Sequence, residues 1–515
     1  MSNRARKELK QSNFLINNIQ EKTDFFNHSF KNYKHFTRLT KLIDTSFDYG
    51  KETTINLSEL ASEYGDLISN MMIKVTLPSV RGEDRLANYI PPEPVPGERV
   101  IVADSIFFGD IVSYTNGIGH ALFEYIELRI DDQLIDRHTS EWMDIWSELT
   151  IKPGLQKNYN YLVKKFETDG INFFGGDIYL PLHFWFCNNN ENKMAFPIGA
   201  MYNSKIELKI KIREFHLIFI ALLPFATEIH NPFLFTQGIP SMIERINKTY
   251  NIPTNITNSK LIIDYILLDK ESSKQLKNTK EDKKYLITQV QQIEQPVISG
   301  THINKIPYKF RSSTKYLYEF KYSFKSLKYN ITELIWIIKN KKFINDYSAH
   351  FAYGDKGFNT DLFIQNRFRN IKITINNNNT ELIESHTADY FRSIEPLSIH
   401  DNTPFNFIHC YSFALNPENY STPSGTFNFN KIQNIQFNFT LDEINDSNNI
   451  IYLYAINYNV LKIKNGRVCL LNDGEYICEN DPDNINNNDN NINNDNLEID
   501  PNIIGSSNIG SGVNL

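Results

Sequence analysis

Apolar and polar residues alternate one by one along several stretches of the chain. In "KIELKIKI", residues 205–212, the four aliphatic side chains at even positions would share one face of an extended strand and the charged side chains the other. The same period of two recurs in "YIELRIDDQ" (125–133), "NIQFNFTLD" (434–442) and "IYLYAINYNVLKI" (451–463). These patterns predict strands, and burying the four aliphatic residues of 205–212 contributes roughly 6 to 12 kcal/mol.

Helical periodicity is confined to two stretches. "TSEWMDIWSELT", 139–150, begins with a Thr-Ser cap and places Trp142, Ile145, Trp146 and Leu149 at helical spacing. Residues 269–291 contain a second predicted helix, which is polar and short. The remainder is predicted to be strand or loop. Many short strands separated by turn residues indicate β-sandwiches rather than an α/β fold.

The chain divides into two β-rich halves, each of which ends in its most regular alternating strand. The predicted divisions are an N-terminal arm (1–39), a first half (40–222), a linker (223–259), a second half (260–479) and a flexible tail (480–515). The tail is dominated by Asn and Asp and cannot bury enough apolar surface to fold alone. The proline-rich stretch at 78–99 is predicted to be an extended loop.

Composition and charge narrow the function classes. The chain has 515 residues, of which 13% are aromatic, with 36 Phe and 27 Tyr, and these residues favour strands. The net charge of −7 argues against a nucleic-acid-binding surface spread over the whole molecule. The apolar run at 215–225 is too short to cross a bilayer, and the basic N-terminus lacks the apolar core of a signal peptide. We therefore expect a soluble protein that is not secreted.

Candidate chemistry is sparse. The sequence has no His-x-His, H-E-x-x-H, Walker loop or G-x-S-x-G. His409 and Cys410 are adjacent, but neighbours on a strand point to opposite faces, which favours a structural role over a Cys/His nucleophile. Asp131, Asp132 and Asp136 lack EF-hand spacing and are expected at a solvated strand end or turn rather than around a cation. We predict no catalytic, cofactor-binding or metal-binding residues, and no enzyme.

The cysteines do not suggest a disulfide framework. Four cysteines in a chain of 515 residues are few, and their spacing matches no zinc pattern: Cys187, Cys410, Cys469 and Cys478. We predict reduced thiols in a cytoplasmic setting.

Longer stretches resemble the major capsid proteins of the nucleocytoplasmic large DNA viruses, the double jelly-roll group. The similar stretches lie in family order through both halves. They are "IELRIDDQLIDRHTSEWMDIWSELT" (126–150), "DIYLPLHFWFCNNNENKMAFPIGAMYNSKIELKIKI" (177–212), "LIIDYILLDKESSKQL" (261–276), "ELIWIIK" (333–339), "YSFALNPENYSTPSGTFNF" (411–429) and "YAINYNVLKIKNG" (454–466). Asn430 and Lys431 stand where the family has Ser and Arg.

The resemblance implies an all-β fold of two consecutive eight-stranded antiparallel jelly rolls with few short helices. It also implies a structural major capsid protein whose homotrimeric, pseudo-hexameric capsomers tile the icosahedral shell of a large DNA virus. The implied partners are neighbouring capsomers, minor capsid and penton proteins, and an indirect or N-terminal contact with an inner membrane, without direct nucleic acid or a cofactor. The implied location is the virion shell, after synthesis and assembly in the host cytoplasm. Two alternatives stay open, a transient double jelly-roll scaffold of virion assembly and a glycan-binding β-sandwich protein.

The stretch at 411–429 has a structural interpretation of its own. Pro423 fixes its φ, and Ser424 and Gly425 permit a tight reversal. The flanking runs can therefore enter two strands of one sandwich. We interpret this turn as a feature of the fold and not of a catalytic site.

Overall fold

All strands of the structure pair antiparallel, within the part of the chain that the structure describes. The computed structural model describes residues 36–59, 65–78, 111–166, 175–187, 194–222, 229–230, 255–278, 282–297, 302–310, 313–324, 327–340, 350–353, 368–375, 380–420, 422–431, 435–441, 449–472 and 475–477. The predicted loop at 78–99, apart from Pro78, and the predicted tail lie outside these residues.

The strands fall into two groups. The first group is β1 (Phe36–Asp48), β2 (Glu52–Asn56), β3 (Leu67–Leu77), β4 (Ile111–Tyr114), β5 (Phe123–Ile130), β6 (Gln133–Thr139), β7 (Gly176–Pro181), β8 (Ile206–Ile212), β9 (Phe219–Leu222), β10 (Ile229–His230) and β11 (Asn255–Leu268). The second group is β12 (Lys283–Val297), β13 (Asn304–Phe310), β14 (Ser313–Phe324), β15 (Asn330–Asn340), β16 (Phe368–Ile375), β17 (Thr380–Thr387), β18 (His409–Ser412), β19 (Phe427–Asn428), β20 (Ile435–Leu441), β21 (Asn449–Lys464), β22 (Arg467–Asn472) and β23 (Glu475–Ile477).

Five sheets result. The first group forms sheet A (β1-β11-β3-β7), sheet B (β2-β8-β5-β6) and a small sheet C (β10-β9-β4). The second group forms sheet D, in which β18-β15-β21-β22-β23 are joined by β12 on β21 and β19 on β15, and sheet E (β13-β14-β20-β16-β17). The all-β prediction is confirmed.

Strand β11 crosses the predicted start of the second half. Residues 260–268 were assigned to that half from the sequence, yet β11 pairs with β1 and with β3 in sheet A. Its register runs from Phe36 opposite Leu268 to Asp48 opposite Asn255. The chain therefore returns to its first sheet before it enters the second group of strands.

The alternating strands lie in the cores as predicted. All four aliphatic residues of 206–212 are fully buried in β8, and the four apolar residues of β20 are buried in the same manner. The opposite face of β8 is less exposed than expected, because Glu207 is buried between neighbouring strands and pairs with Lys205 at 2.7 Å. In a central strand, the side chains of the two neighbouring strands cover part of both faces.

The central strands β15 and β21 of sheet D are buried on both faces, which explains the nearly unbroken apolar run at 451–463. Leu453 and Ala455 of β21 pack into a core shared with sheet E, whereas Tyr452 and Tyr454 pack into a core shared with the first group of strands. Strand β15 divides its residues in the same way. Because successive side chains alternate across a strand, each strand supplies two cores.

Five α-helices that lie wholly within the described residues interrupt the sheets. They are α1 (Ile118–Ala121), α2 (Ser140–Thr150), α3 (Pro153–Val163), α4 (Lys270–Lys277) and α5 (Glu395–Ile399); a π-helix (Tyr390–Ile394) precedes α5, and 3-10 turns span Ile198–Ala200, Phe215–Leu217 and Phe429–Lys431. Two of them, α2 and α4, were predicted. The prediction of strand or loop is wrong at α1, α3 and α5, and Pro153 occupies the first turn of α3. No helix in this part of the chain is long and apolar enough to cross a lipid bilayer.

The chain between β18 and β19 forms a loop that folds back on itself, with the backbone N–H of Leu415 donating to the carbonyl of Ser424. Both strands pair antiparallel with β15, so β19 follows β18 along the same strand in the same direction. The predicted reversal therefore lies within the loop and does not turn one strand back against the other. Ser424 Oγ accepts from the backbone N–H of Asn416 at 2.8 Å. Gly425 has φ of +149°, and a Cβ there would lie 2.5 Å from the carbonyl oxygen of Phe413. Only glycine fits both conditions without a backbone shift.

Replacing Gly425 with alanine is expected to lower the free energy of unfolding by about 1 to 3 kcal/mol. The added methyl group meets a backbone oxygen that cannot rotate away, and the backbone angle is strained for any L residue. Urea unfolding of the two proteins measures the difference. The matched control is Gly154→Ala in α3, where nothing lies within 4 Å of the new Cβ, and this change should be neutral or slightly stabilising. Equal stability of the two variants would contradict the strain at Gly425.

Candidate functional site

Helix α2 lies between the two groups of strands. We call the contact of α2 and its flanking residues with the second group the joint. All but one of the eleven residues of α2 are buried. The Trp142 ring stacks on Trp146 with centroids 5.2 Å apart and packs 5.4 Å from Tyr454 of β21. Trp146 in turn stacks on Tyr420 at 6.3 Å. Aromatic surface of one group thus packs directly on the other.

A buried ion pair crosses the joint beside these rings. Lys339 of β15 is 1% exposed, and its Nζ lies 2.5 Å from Oε1 of Glu141 in α2. The other carboxylate oxygen of Glu141 accepts a hydrogen bond from the hydroxyl of Ser140. The same hydroxyl oxygen accepts a hydrogen bond from the guanidinium of Arg213. Burial acts to raise the pKa of Glu141, but the positive charges of Lys339 and Arg213 prevail and lower it to about 2. The carboxylate of Glu141 is therefore ionised at neutral pH, whereas burial lowers the pKa of Lys339 against the opposing effect of Glu141.

Two more carboxylates of α2 bind residues from both groups. Asp144 accepts from Lys165 Nζ at 2.5 Å and from the hydroxyl of Tyr353 at 2.9 Å. Glu148, one turn later, accepts from the same Lys165 and from the backbone N–H and side-chain amide of Asn406, at 3.0 and 2.6 Å. Burial opposes ionisation of Asp144, yet the charge of Lys165 holds its pKa below the ordinary value. Lys165 therefore balances the charge of two carboxylates, Asp144 and Glu148, that accept hydrogen bonds from residues of the second group.

Strands β6 and β12 extend the joint. Asp136 Oδ1 accepts from the backbone N–H of Val290 at 3.0 Å, and Oδ2 contacts His138 Nε2 at 3.0 Å. Asp136 is 4% exposed, so the expectation of a solvated residue is wrong for this position. Sequence alone could not show that β12 would supply a donor to it. Gln289 donates its side-chain amide to the Ile135 carbonyl beside it.

The other two residues of that acidic stretch form a turn. Asp131 and Asp132 have positive φ of 50° and 66° and connect β5 to β6. Asp131 Oδ1 accepts from the backbone N–H of Lys205 at 2.7 Å. Asp and Asn tolerate this backbone region better than other residues with side chains. The predicted turn is confirmed here.

His409 and Cys410 point to opposite faces of β18, as predicted. His409 stacks on Trp336 at 6.1 Å in the core between sheets D and E, whereas Cys410 lies in the core shared with the first group. Cys187 and Cys410 are free thiols. Cys469 is disulfide-bonded, so the prediction of reduced thiols is wrong for it. Spacing along the chain does not reveal which thiols the fold brings within bonding distance.

Within the described residues, one group of side chains has ligand atoms close enough to hold a metal ion: Glu333, His400 and Cys410. They come from β15, the residue after α5, and β18. The spacing rules for metal motifs require ligands near one another in sequence, and Glu333 is 67 residues from His400. That is why the sequence did not suggest this group.

The joint is suited to rigidity. Its anions are paired with cations or hydrogen-bond donors on both sides, and its aromatic rings exclude water. Such an arrangement can hold two sandwiches in one fixed orientation.

Two family models match the chain in succession. The model described as "Major capsid protein N-terminus" matches residues 24–269, and "Large eukaryotic DNA virus major capsid protein" matches residues 276–469. The major capsid protein of Pyramimonas orientalis virus is 23% identical over 447 residues, covering 81% of this chain and 90% of the relative. That of Chrysochromulina ericina virus is 21% identical, covering 88% and 96%.

Solved structures show the same fold. A chain of the PBCV-1 virus capsid, in its quasi-atomic model, has a TM-score of 0.61 at 16% identity, covering 87% of this chain and 100% of that one. The Faustovirus major capsid protein has a TM-score of 0.58 at 11% identity, covering 86% and 93%. The two sandwiches are therefore the two jelly rolls of a double jelly-roll chain. Because the two family models together leave little more than the chain ends unmatched, this chain belongs to the family of major capsid proteins of large eukaryotic DNA viruses.

Proposed function

We propose that this chain forms homotrimeric, pseudo-hexameric capsomers that tile the icosahedral shell of a large DNA virus. The observation that carries the proposal is the joint. It holds two sandwiches of one chain as a single unit, so three chains around a three-fold axis would present six sandwiches in a near-hexagonal ring. Contacts of this kind are heterologous and close after three copies. The role is structural and not enzymatic, in keeping with the family.

Exposed apolar side chains support a contact surface in the second jelly roll. Thirteen large hydrophobic side chains of the described residues are exposed, and four lie between 394 and 415: Ile394, Leu397, Phe405 and Leu415, which are 59%, 74%, 80% and 85% exposed. Exposed apolar patches commonly mark protein interfaces, and these four side chains are close in sequence. We place a contact with the neighbouring chain of the trimer on this segment.

Light scattering coupled to size-exclusion chromatography is expected to give a species of about three times the mass of one chain, as closure by a three-fold axis requires. The full chain is purified and measured over a range of concentrations. A folded protein that stays monomeric at all of them would contradict the trimer as an intrinsic property of this chain.

Phe405→Asp and Leu415→Asp are expected to shift that species towards the monomer without loss of folding. Each change places a charge in apolar contact surface of the trimer, where an unpaired charge is costly, whereas in the free chain it meets water. Circular dichroism verifies the fold and light scattering reads the mass. The control is Leu155→Asp in α3, which is also exposed, at 52%, but lies outside the segment. Trimers that survive both changes would place the subunit contact elsewhere.

The remaining parts of the proposal concern location and partners. The chain is a component of the virion shell, and we propose that it assembles in the host cytoplasm. Minor capsid and penton proteins, and an inner membrane near the N-terminal arm, are proposed partners; residues 1–35 of the arm lie outside the described residues. We also propose that the boundary between the two jelly rolls lies within residues 269–282 of the chain. The pairing of β11 with β1 and the ends of the two family matches support this boundary.

A further inference from the structure

Three side chains whose atoms can bind a metal ion lie close together next to the joint. Glu333 lies on β15 and Cys410 on β18, and the pairing of Glu333 with Ser412 and of Ile335 with Cys410 puts both side chains on one face of sheet D. His400 follows α5 and is held by its backbone N–H, which donates to the carbonyl of Pro396 at 2.9 Å. We call Glu333, His400 and Cys410 the β15–β18 cluster.

The cluster is closed to solvent. The side chains of Glu333 and His400 are 0% exposed, as is Cys410. One ligand atom from each residue lies within 4.8 Å of the other two. Nε2 of His400 is 2.6 Å from Oε1 of Glu333. Three donor types that bind transition metals are thus held together in a dry site.

A fourth residue orients the histidine. Nδ1 of His400 lies 2.9 Å from Oε1 of Glu418, which also accepts from the backbone N–H of Asp401 at 3.0 Å. In metal sites, a ligating histidine commonly donates its second ring N–H to a carboxylate, which fixes the tautomer and leaves the other nitrogen free to bind. Glu418 occupies that position with respect to Nε2.

One atom of the cluster lacks a partner among the described residues. Oε2 of Glu333 is buried and accepts no hydrogen bond from any of them. A histidine cation between Glu333 and Glu418 would account for both ring nitrogens, and Cys410 also forms a hydrogen bond with His400, but this oxygen would stay without a partner. A buried unsatisfied carboxylate oxygen is costly, and a bound cation would satisfy it.

We propose that Glu333, His400 and Cys410 bind a zinc ion, with Glu418 as the carboxylate that orients His400. Thiolate, imidazole and carboxylate together favour Zn²⁺ over the oxygen-preferring Mg²⁺ and Ca²⁺. Zinc bonds of about 2.0 to 2.3 Å place tetrahedral ligand atoms about 3.3 to 3.6 Å apart. The His400–Glu333 contact must therefore open slightly, while the cluster as a whole contracts around the ion.

The ion would connect three separate elements. It would join the edge strand β18 to β15 and to the end of α5, next to Trp146, whose ring lies 6.1 Å from that of His400. Metal binding to a site that exists only in the folded chain stabilises the fold. Zinc would then stabilise the fold of the second jelly roll where it packs against α2.

Elemental analysis of the full-length protein, produced with Zn²⁺ and purified without chelators, is expected to find about one zinc ion per chain. Replacement by Co²⁺ should give a thiolate-to-cobalt charge-transfer band. Cys410→Ser should abolish the band and the bound zinc. The matched control is Cys187→Ser, which removes the other free thiol of the described residues and should keep both.

A positioning role for Glu418 predicts a graded effect. Glu418→Gln should weaken zinc binding about 10- to 100-fold, measured by competition with a chromophoric chelator, while the cobalt band persists at saturating metal. Wild-type protein that takes up neither Zn²⁺ nor Co²⁺ would overturn the proposal, and so would equal metal content in Cys410→Ser and wild type. The wild-type spectrum decides the question even if a variant does not fold, and it does not depend on trimer formation.

Discussion

Replacing Lys339 with methionine is expected to lower the free energy of unfolding by about 3 to 5 kcal/mol. The methionine fills much of the same volume, but the carboxylate of Glu141 loses the cation that lies 2.5 Å away and stays buried in the joint. An uncompensated buried charge costs far more than the pair itself contributes. Urea unfolding of wild type and variant at neutral pH measures the loss.

The double variant Glu141→Gln/Lys339→Met is the control for this prediction. It removes both charges and keeps the approximate shape, so most of the lost stability should return. A single variant as stable as wild type would show that water reaches the pair and that the joint is less dry than the structure indicates. A double variant as unstable as the single one would assign the loss to packing around Lys339.

The same pair gives an acid-side dependence of stability. The pKa of Glu141 is lowered from its ordinary 4.5 to about 2, so its contribution is complete above pH 4.5 and is lost as the pH falls towards 2. Wild type should lose stability more steeply over this interval than the double variant, which has no carboxylate at position 141. Parallel pH profiles would contradict the lowered pKa.

Replacing Leu208 with aspartate is expected to abolish folding of the first jelly roll. Leu208 is fully buried in β8, between Ile55 of β2 and Leu128 of β5, and belongs to an apolar core cluster. An unpaired carboxylate there must desolvate or become protonated, either of which costs several kcal/mol, in addition to the lost apolar contacts. Yield of soluble protein and the near-ultraviolet circular dichroism spectrum measure the outcome.

Leu208→Met is the matched control. It conserves volume and apolar character, and a cost below about 1.5 kcal/mol is expected. Soluble trimers of Leu208→Asp with wild-type stability would mean that this face of β8 does not pack in the core.

Period-two patterns determined the strands in which they occur, namely β5, β8, β20 and β21. Ile206, Leu208, Ile210 and Ile212 could be assigned to one buried face because every second side chain of a strand points the same way. Helix α2 was determined with equal certainty by Thr139 as its cap and by the spacing of its tryptophans. Helix α3 was not, since it buries few residues and its apolar periodicity is correspondingly weak.

The pairing of side chains and strands with residues far along the chain could not be predicted from the sequence. The burial of Glu141, Asp144 and Glu148 could not be predicted, because the cations and hydrogen-bond donors that pair with them come from Lys165 and from residues about 200 or more positions away. Asp136 was misjudged for the same reason. The sheet membership of β11 also depends on a partner far along the chain, Phe36–Asp48.

By itself, the sequence determined the fold class, the family and the positions of the regular strands, since these depend on local periodicity and on stretches of contiguous residues. Only the tertiary structure decided that α2 and the central strands β15 and β21 of sheet D are buried, that the charges of α2 are paired across the joint, and that Glu333, His400 and Cys410 lie close together. Burial and pairing are properties of what packs against a residue, and the packing partners come from distant parts of the chain.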